Sequence, residues 1–171
     1  MKKTTLGAVV AILCLSFFIV TAYAVGNDKY EPVVPTSNME TAYIDHIETK
    51  NGQILLTVDN IDWYEGEAAD KIFKEREPDA ELDGAPDGYY IVNDSEELKT
   101  LAVDPQAEVL MQVYDKTGNI EDVDTVWNEP ITVAKLQEIF DQKDIVDLSE
   151  FPYHLTVVDG KVVKIVQQFI P

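Results

Sequence analysis

Hydrophobic and polar residues alternate in two clear blocks. In "AYIDHIETKNGQILLTVDNIDWY" the apolar positions recur every second residue on both sides of Asn51-Gly52, with Ile54, Leu56 and Val58 on one face of the second run. Asn-Gly supplies the positive φ angles that a type I′ hairpin turn needs, so the stretch predicts two strands and a tight turn. The pattern returns near the end, where Asp159-Gly160 divides "YHLTVVDGKVVKIVQQFI", with Leu155 and Val157 before the turn and Val163 and Ile165 after it. That predicts a second hairpin.

Two stretches follow a helical period instead. Gly66 to Glu77 carries Ala69, Ile72 and Phe73 on one side, with Glu67–Lys71 and Asp70–Lys74 at the i,i+4 spacing that stabilises a helix. Ile131 to Gln142 places Val133, Leu136 and Phe140 on one stripe with Ile139 beside it, and Thr132 stands where an N-cap belongs. Two further strands are "GYYIVN" and "AEVLMQVYD", the second with Val109, Met111 and Val113 facing in and Glu108, Leu110 and Gln112 on the other side.

"GAPDGYYIVND", Gly84 to Asp94, joins turn chemistry to paired tyrosines. Pro fixes φ, Asp bonds its own backbone and Gly takes positive φ, so Pro86-Asp87-Gly88 is a turn leading into a strand. The element order is strand, strand, helix, strand, strand, helix, strand, strand. Tight hairpins favour an antiparallel sheet, and the fold class is α+β: a small hairpin-built sheet curled into an OB-like barrel or sandwich of five or six strands with two short helices.

The N-terminus follows other rules. "MKK" is followed by an apolar run from Leu6 to Val20 and by Ala22-Tyr23-Ala24, the arrangement of an export signal over residues 1–24. An uncleaved membrane anchor over residues 6–24 is the alternative, and lipid attachment at Cys14 is disfavoured by Leu13, where a small residue is wanted. All of these place the domain outside the cytoplasm, secreted or at the cell surface. Residues 25–41, with Pro32, Pro35, Ser37 and Asn38, read as a linker, and residues 42–171 as one domain.

Without residues 1–24 the chain loses its only cysteine and keeps 11 Lys and Arg against 32 Asp and Glu, a formal charge of −21. No internal disulfide can form, so the core must carry stability alone. The charge argues against nucleic acid and anionic membranes as partners. It favours solubility and tolerates cations.

Catalytic chemistry is thinly supplied. Beyond residue 24 the serines are Ser37, Ser95 and Ser149, none in a G-x-S-x-G elbow, and His46 and His154 each lack a neighbouring His or Cys. Paired carboxylates are too abundant to single out a glycosidase, which also wants a larger cleft.

Calcium is a more concrete possibility. Asp59, Asp62 and Glu65 with Asn60 form one acidic run, Glu121, Asp122 and Asp124 with Glu129 a second, and Asp141, Asp144, Asp147 and Glu150 a third. None follows EF-hand spacing. Among aromatic residues, Trp63, Tyr64, Tyr89, Tyr90 and Trp127 are candidates for a partner surface. Alternation turns one member of each adjacent pair toward the core.

"WYEGEAADKIFKERE", "PDGYYIVND", "LKTLAVDPQAEV" and "PYHLTVVDGKVVKIVQQFIP", in that order, resemble an uncharacterised family of small exported proteins of Gram-positive bacteria. The likeness spans about residues 55–171. It implies a shared fold and export, and groups Tyr89, Tyr90 and Asn93 as a unit; it carries over no catalytic residue or cofactor. A strand-end Asn can bond the backbone of the Ser95–Leu98 turn, which would make Asn93 structural. Two functions remain: a non-catalytic exported domain binding a protein or envelope component, basic if charge guides the choice, or a calcium-binding module of the extracellular face.

Overall fold

The computed structural model describes residues 29–95 and 97–170. Its elements are β1 (Met39–Lys50), β2 (Gln53–Glu65), α1 (Gly66–Arg76), β3 (Tyr89–Val92), β4 (Leu98–Met111), β5 (Glu129–Ile131), α2 (Val133–Phe140), β6 (Pro152–Val158) and β7 (Lys161–Gln167). The expected export signal lies outside the described residues, among which no helix is long and apolar enough to cross a membrane. The last three residues of the expected linker, Met39–Thr41, are already strand.

Both hairpins form as the alternation predicts. Asn51 and Gly52 adopt φ of 54° and 76°, and Asp159 and Gly160 adopt 50° and 77°, the paired left-handed turn that keeps the strand twist. β2 pairs antiparallel with β1 and with β4, and β6 pairs antiparallel with β1 and with β7. The circle closes between β4 and β7, giving a five-stranded barrel in the order β1-β2-β4-β7-β6, of the OB-like kind. That closing pair is parallel, where hairpins alone would give an antiparallel sheet throughout. The strands are separated by β5, α2 and β6, and a crossover of that length can return the chain in the same direction.

Side chains of all five strands fill the barrel, among them Ile44, Leu56, Val103, Leu155 and Ile165, all but removed from water. Each such Leu or Ile contributes roughly 1.5–3 kcal/mol by burial. Leu136 and Phe140 of α2 join this core, and the Thr132 hydroxyl caps the helix by accepting from the Lys135 amide at 3.0 Å. Register shifts decide two positions that alternation alone misplaces. A bulge between Ile44 and His46 turns Ile47 inward and leaves His46 exposed, and one between Thr156 and Val157 seats Val162 rather than Val163 in the core.

A smaller core lies under α1, where Ala69 and Phe73 meet Ala85, Tyr64 and Tyr90. The Asp70 carboxylate does not pair with Lys74; it accepts from the Ala85 amide at 2.9 Å. Along the helix the ion pair is Lys71–Glu75 instead of Glu67–Lys71. Gly84 fits because a Cβ there would stand 2.2 Å from Asp70 Oδ1. "GAPDG" is the predicted turn, closed by the Gly88 amide on the Ala85 carbonyl at 3.1 Å with Gly88 at φ 75°. β3 then continues beside the end of β2.

Candidate functional site

β2 outruns its partner on one side. Its pairing with β1 ends at Thr41↔Ile61, whereas Asp62–Glu65 pair with β3, so among the described residues the other edge of Asp62–Glu65 has no strand beside it. β1 meanwhile turns toward β6, with Thr41 opposite His154. Between the diverging strands opens a groove of about 700 Å³, walled by the start of β1, the end of β2, Val92, Asp94 and Ser95 beyond it, and Val33, Pro35 and Thr36 of the N-terminal segment.

The lining is acidic, with Glu40, Asp62, Glu65 and Asp94 and, among the described residues, no Lys or Arg. Two of these carboxylates are neutralised from outside. Lys99 reaches Glu40 at 2.7 Å, and Arg76 grips Asp94 with two hydrogen bonds at 2.9 and 2.7 Å. Burial alone would raise the Glu40 pKa, but the Lys99 and Asn60 hydrogen bonds outweigh it and leave the group below its ordinary value. The Arg76 hydrogen bonds likewise lower Asp94. Asp62 and Glu65 form no ion pair among the described residues, so the groove's uncompensated charge sits on the end of β2.

A hydrogen-bond chain, buried at His154 and exposed at Glu65, runs along this groove. Thr41 Oγ1 meets His154 Nδ1 at 3.0 Å, and His154 Nε2 meets Gln168 Oε1 at 3.1 Å. The Gln168 amide donates to the Tyr30 hydroxyl at 3.1 Å, and that hydroxyl donates to Glu65 Oε1 at 3.1 Å. With Gln168 Oε1 as acceptor, His154 carries a proton on Nε2, and in its neutral form the ring accepts from the Thr41 hydroxyl on Nδ1. The chain ties β1, β6, the C-terminal tail, the N-terminal segment and β2 to one carboxylate.

Burial pushes the His154 pKa below its ordinary value, with Gln168 and Glu65 opposing only in part. Since the unfolded chain binds a proton more readily than the folded one, stability from His154 is complete above the unfolded value of about 6.5 and is lost as pH falls below it. Urea midpoints therefore fall between pH 7.5 and 5.5, before the carboxylates titrate. His154→Gln removes that slope, and an unchanged slope in the variant would contradict the assignment. His46 lies apart, opposite Thr57 on the exposed side of β1.

The candidate aromatic residues divide as strand alternation requires. Trp63 and Tyr89 stack diagonally across β2 and β3, with centroids 4.8 Å apart and planes 14° from parallel. Tyr64 and Tyr90 point the other way into the small core under α1, where Phe73 meets Tyr90 edge-on at 5.6 Å. Trp127, in the loop before β5, lines the same opening as Trp63, with ring centroids 5.1 Å from Tyr30 and 5.6 Å from Phe169. Tyr30 and Phe169 lie in irregular segments beyond the strands, so strand alternation does not place them.

The candidate calcium ligands do not gather. Asp59, Asp62 and Glu65 lie along one extended strand, where successive side chains diverge. Asp59 Oδ2 accepts from Asn93 at 2.6 Å, so Asn93 serves the Asp59 carboxylate. Glu121 and Asp122 belong to a short 3-10 turn in which Asp122 accepts from Thr117 at 2.9 Å, and Asp124 accepts from the Thr125 amide at 2.9 Å. Among the described residues no three carboxylate or imidazole groups form a cluster able to hold a metal ion.

No family model, curated protein or solved structure matches this chain. The physical character of the site therefore has to carry the functional reading: an acidic groove with an open strand edge, bordered by aromatic rings.

Proposed function

We propose that the chain is a non-catalytic exported domain that binds a basic protein or cell-envelope component in the groove at the end of β2. The observation that carries this reading is the groove's lining, among the described residues, of four carboxylates without Lys or Arg, two of them unpaired. A cationic partner finds there both the local charge and the general field of an acidic protein, which speeds encounter at low salt. The free edge of Asp62–Glu65 suits an extended segment, because main-chain groups at a sheet edge can pair with a partner strand. A non-catalytic role is supported by His154, which lines the groove but has both ring nitrogens engaged by Thr41 and Gln168.

The test is calorimetric titration with a lysine-rich octapeptide and a glutamate-rich one, each at low and high salt. The basic peptide binds, more weakly as salt rises, and the acidic one gives no heat. Equal heats from both peptides, none from either, or turnover on a hydrolase panel that depends on one carboxylate would contradict the proposal.

A further inference from the structure

Next to the groove, and sharing Trp63 and Glu65 with it, is a second opening of about 310 Å³. Its walls are rings: Tyr30, Trp63, Tyr89, Trp127 and Phe169. Two of its contacts are edge-on, Tyr30 to Trp127 at 61° and Trp127 to Phe169 at 89°, while Trp63 and Tyr89 form a stacked pair at 14°, so the five rings do not make one flat stack. The Glu65 and Asp87 carboxylates, Gly88 and Gln168 complete the lining, which contains no Lys or Arg among the described residues. Together the rings and carboxylates make an anionic box, and its volume is at the lower end of the range for small-molecule sites, roughly 300 Å³.

We propose that this aromatic box binds an alkylated ammonium head group of the quaternary, choline-like class. The inference rests on reading this face as a cation site and goes further by naming the ligand's head. Ring faces carry negative potential and attract a cation within about 6 Å of the centroid, most effectively when the ion is weakly hydrated. A quaternary ammonium has its charge spread over methyl groups and no N–H to satisfy. A primary ammonium is a compact, strongly hydrated charge with three donors. Glu65 Oε1 already takes the Tyr30 hydroxyl and Gln168 Oε1 takes His154, while the Asp87 carboxylate supplies charge at the rim. An ion without donors leaves those bonds intact.

The chain has two tryptophans, and both line the box, so intrinsic fluorescence reads its occupancy directly. The titrants are choline chloride, a peptide bearing Nε-trimethyllysine, and 3,3-dimethylbutan-1-ol, the uncharged isostere of choline, all at constant ionic strength. Choline or the peptide gives a saturable change, about tenfold weaker for the neutral alcohol. Saturation by choline identifies a free small ligand; saturation by the peptide alone identifies a head group carried on a longer chain. Tyr30→Leu, in the irregular N-terminal segment outside both cores, weakens the response about tenfold without unfolding the barrel. No saturable change with either cation, or equal affinity for the neutral alcohol, would overturn the box. Loss of lysine-peptide binding in the groove with choline binding intact would instead strike the proposed function alone.

Discussion

Gln167→Leu is expected to destabilise the protein by about 3 kcal/mol, because it orphans two buried backbone donors at once. Gln167 Oε1 accepts from the Gln112 amide at 2.8 Å and from the Val113 amide at 2.9 Å. The link is reciprocal, since Gln112 Nε2 donates to the Gln167 carbonyl at 3.0 Å and Gln112 Oε1 accepts from the Asn128 amide at 2.7 Å. These bonds hold the ends of β4 and β7 together just past their parallel pairing and fix Asn128 at φ 55° before β5. Leucine fills similar space but accepts nothing, so two amides remain buried without partners. Urea denaturation checks this, as a fall in midpoint at constant slope. A loss below about 1 kcal/mol, the net worth of one ordinary hydrogen bond, would mean that the network does not bear on the closure of the barrel.

The second large effect concerns binding. Glu65→Lys places a like charge against a basic ligand where the groove's uncompensated carboxylate stood. Juxtaposed like charges cost several kcal/mol, so affinity for the lysine-rich peptide drops on the order of a hundredfold. Glu65→Gln separates charge from structure, since an amide oxygen still accepts from Tyr30. It keeps the fold and loses up to about fivefold, the share expected of a charge partly screened at an open groove. Binding unchanged by Glu65→Lys would remove Glu65 from the ligand's path.

Much of the fold was legible because its devices are local. Asn51-Gly52 and Asp159-Gly160 specify their turns whatever surrounds them, and the stripe of Val133, Leu136 and Phe140 specifies α2. Alternation also foretold that Trp63 would part from Tyr64, and Tyr89 from Tyr90, although not which member would face the groove. What stayed hidden depends on partners distant in sequence. The parallel pairing of β4 with β7 joins Val109 to Ile165, and no local pattern encodes it. Bulges flip parity, which is how Ile47 took the inward place that simple alternation gives to His46. Gln112 reads as an outward polar residue of its strand yet is buried, because its amide bonds Gln167 and Asn128.

The candidate site was legible in its residue types and less so in its geometry. Trp63, Tyr89 and Trp127 do come together, but their companions Tyr30 and Phe169 arrive from irregular segments at opposite ends of the chain. Glu65 and Asp62 stood out in the sequence as members of an acidic run for calcium. In the fold they line a groove along a strand edge, an arrangement suited to an extended basic ligand.

The most direct test of that reading is a two-dimensional NMR titration of the nitrogen-15-labelled protein with the lysine-rich peptide. Amides of residues 61–65, the Glu40 and Thr41 amides and the Trp63 indole are predicted to shift together and saturate at one affinity, while α2 stays still. Shifts spread evenly over the acidic surface, without saturation at the end of β2, would contradict a specific groove and leave only diffuse charge attraction.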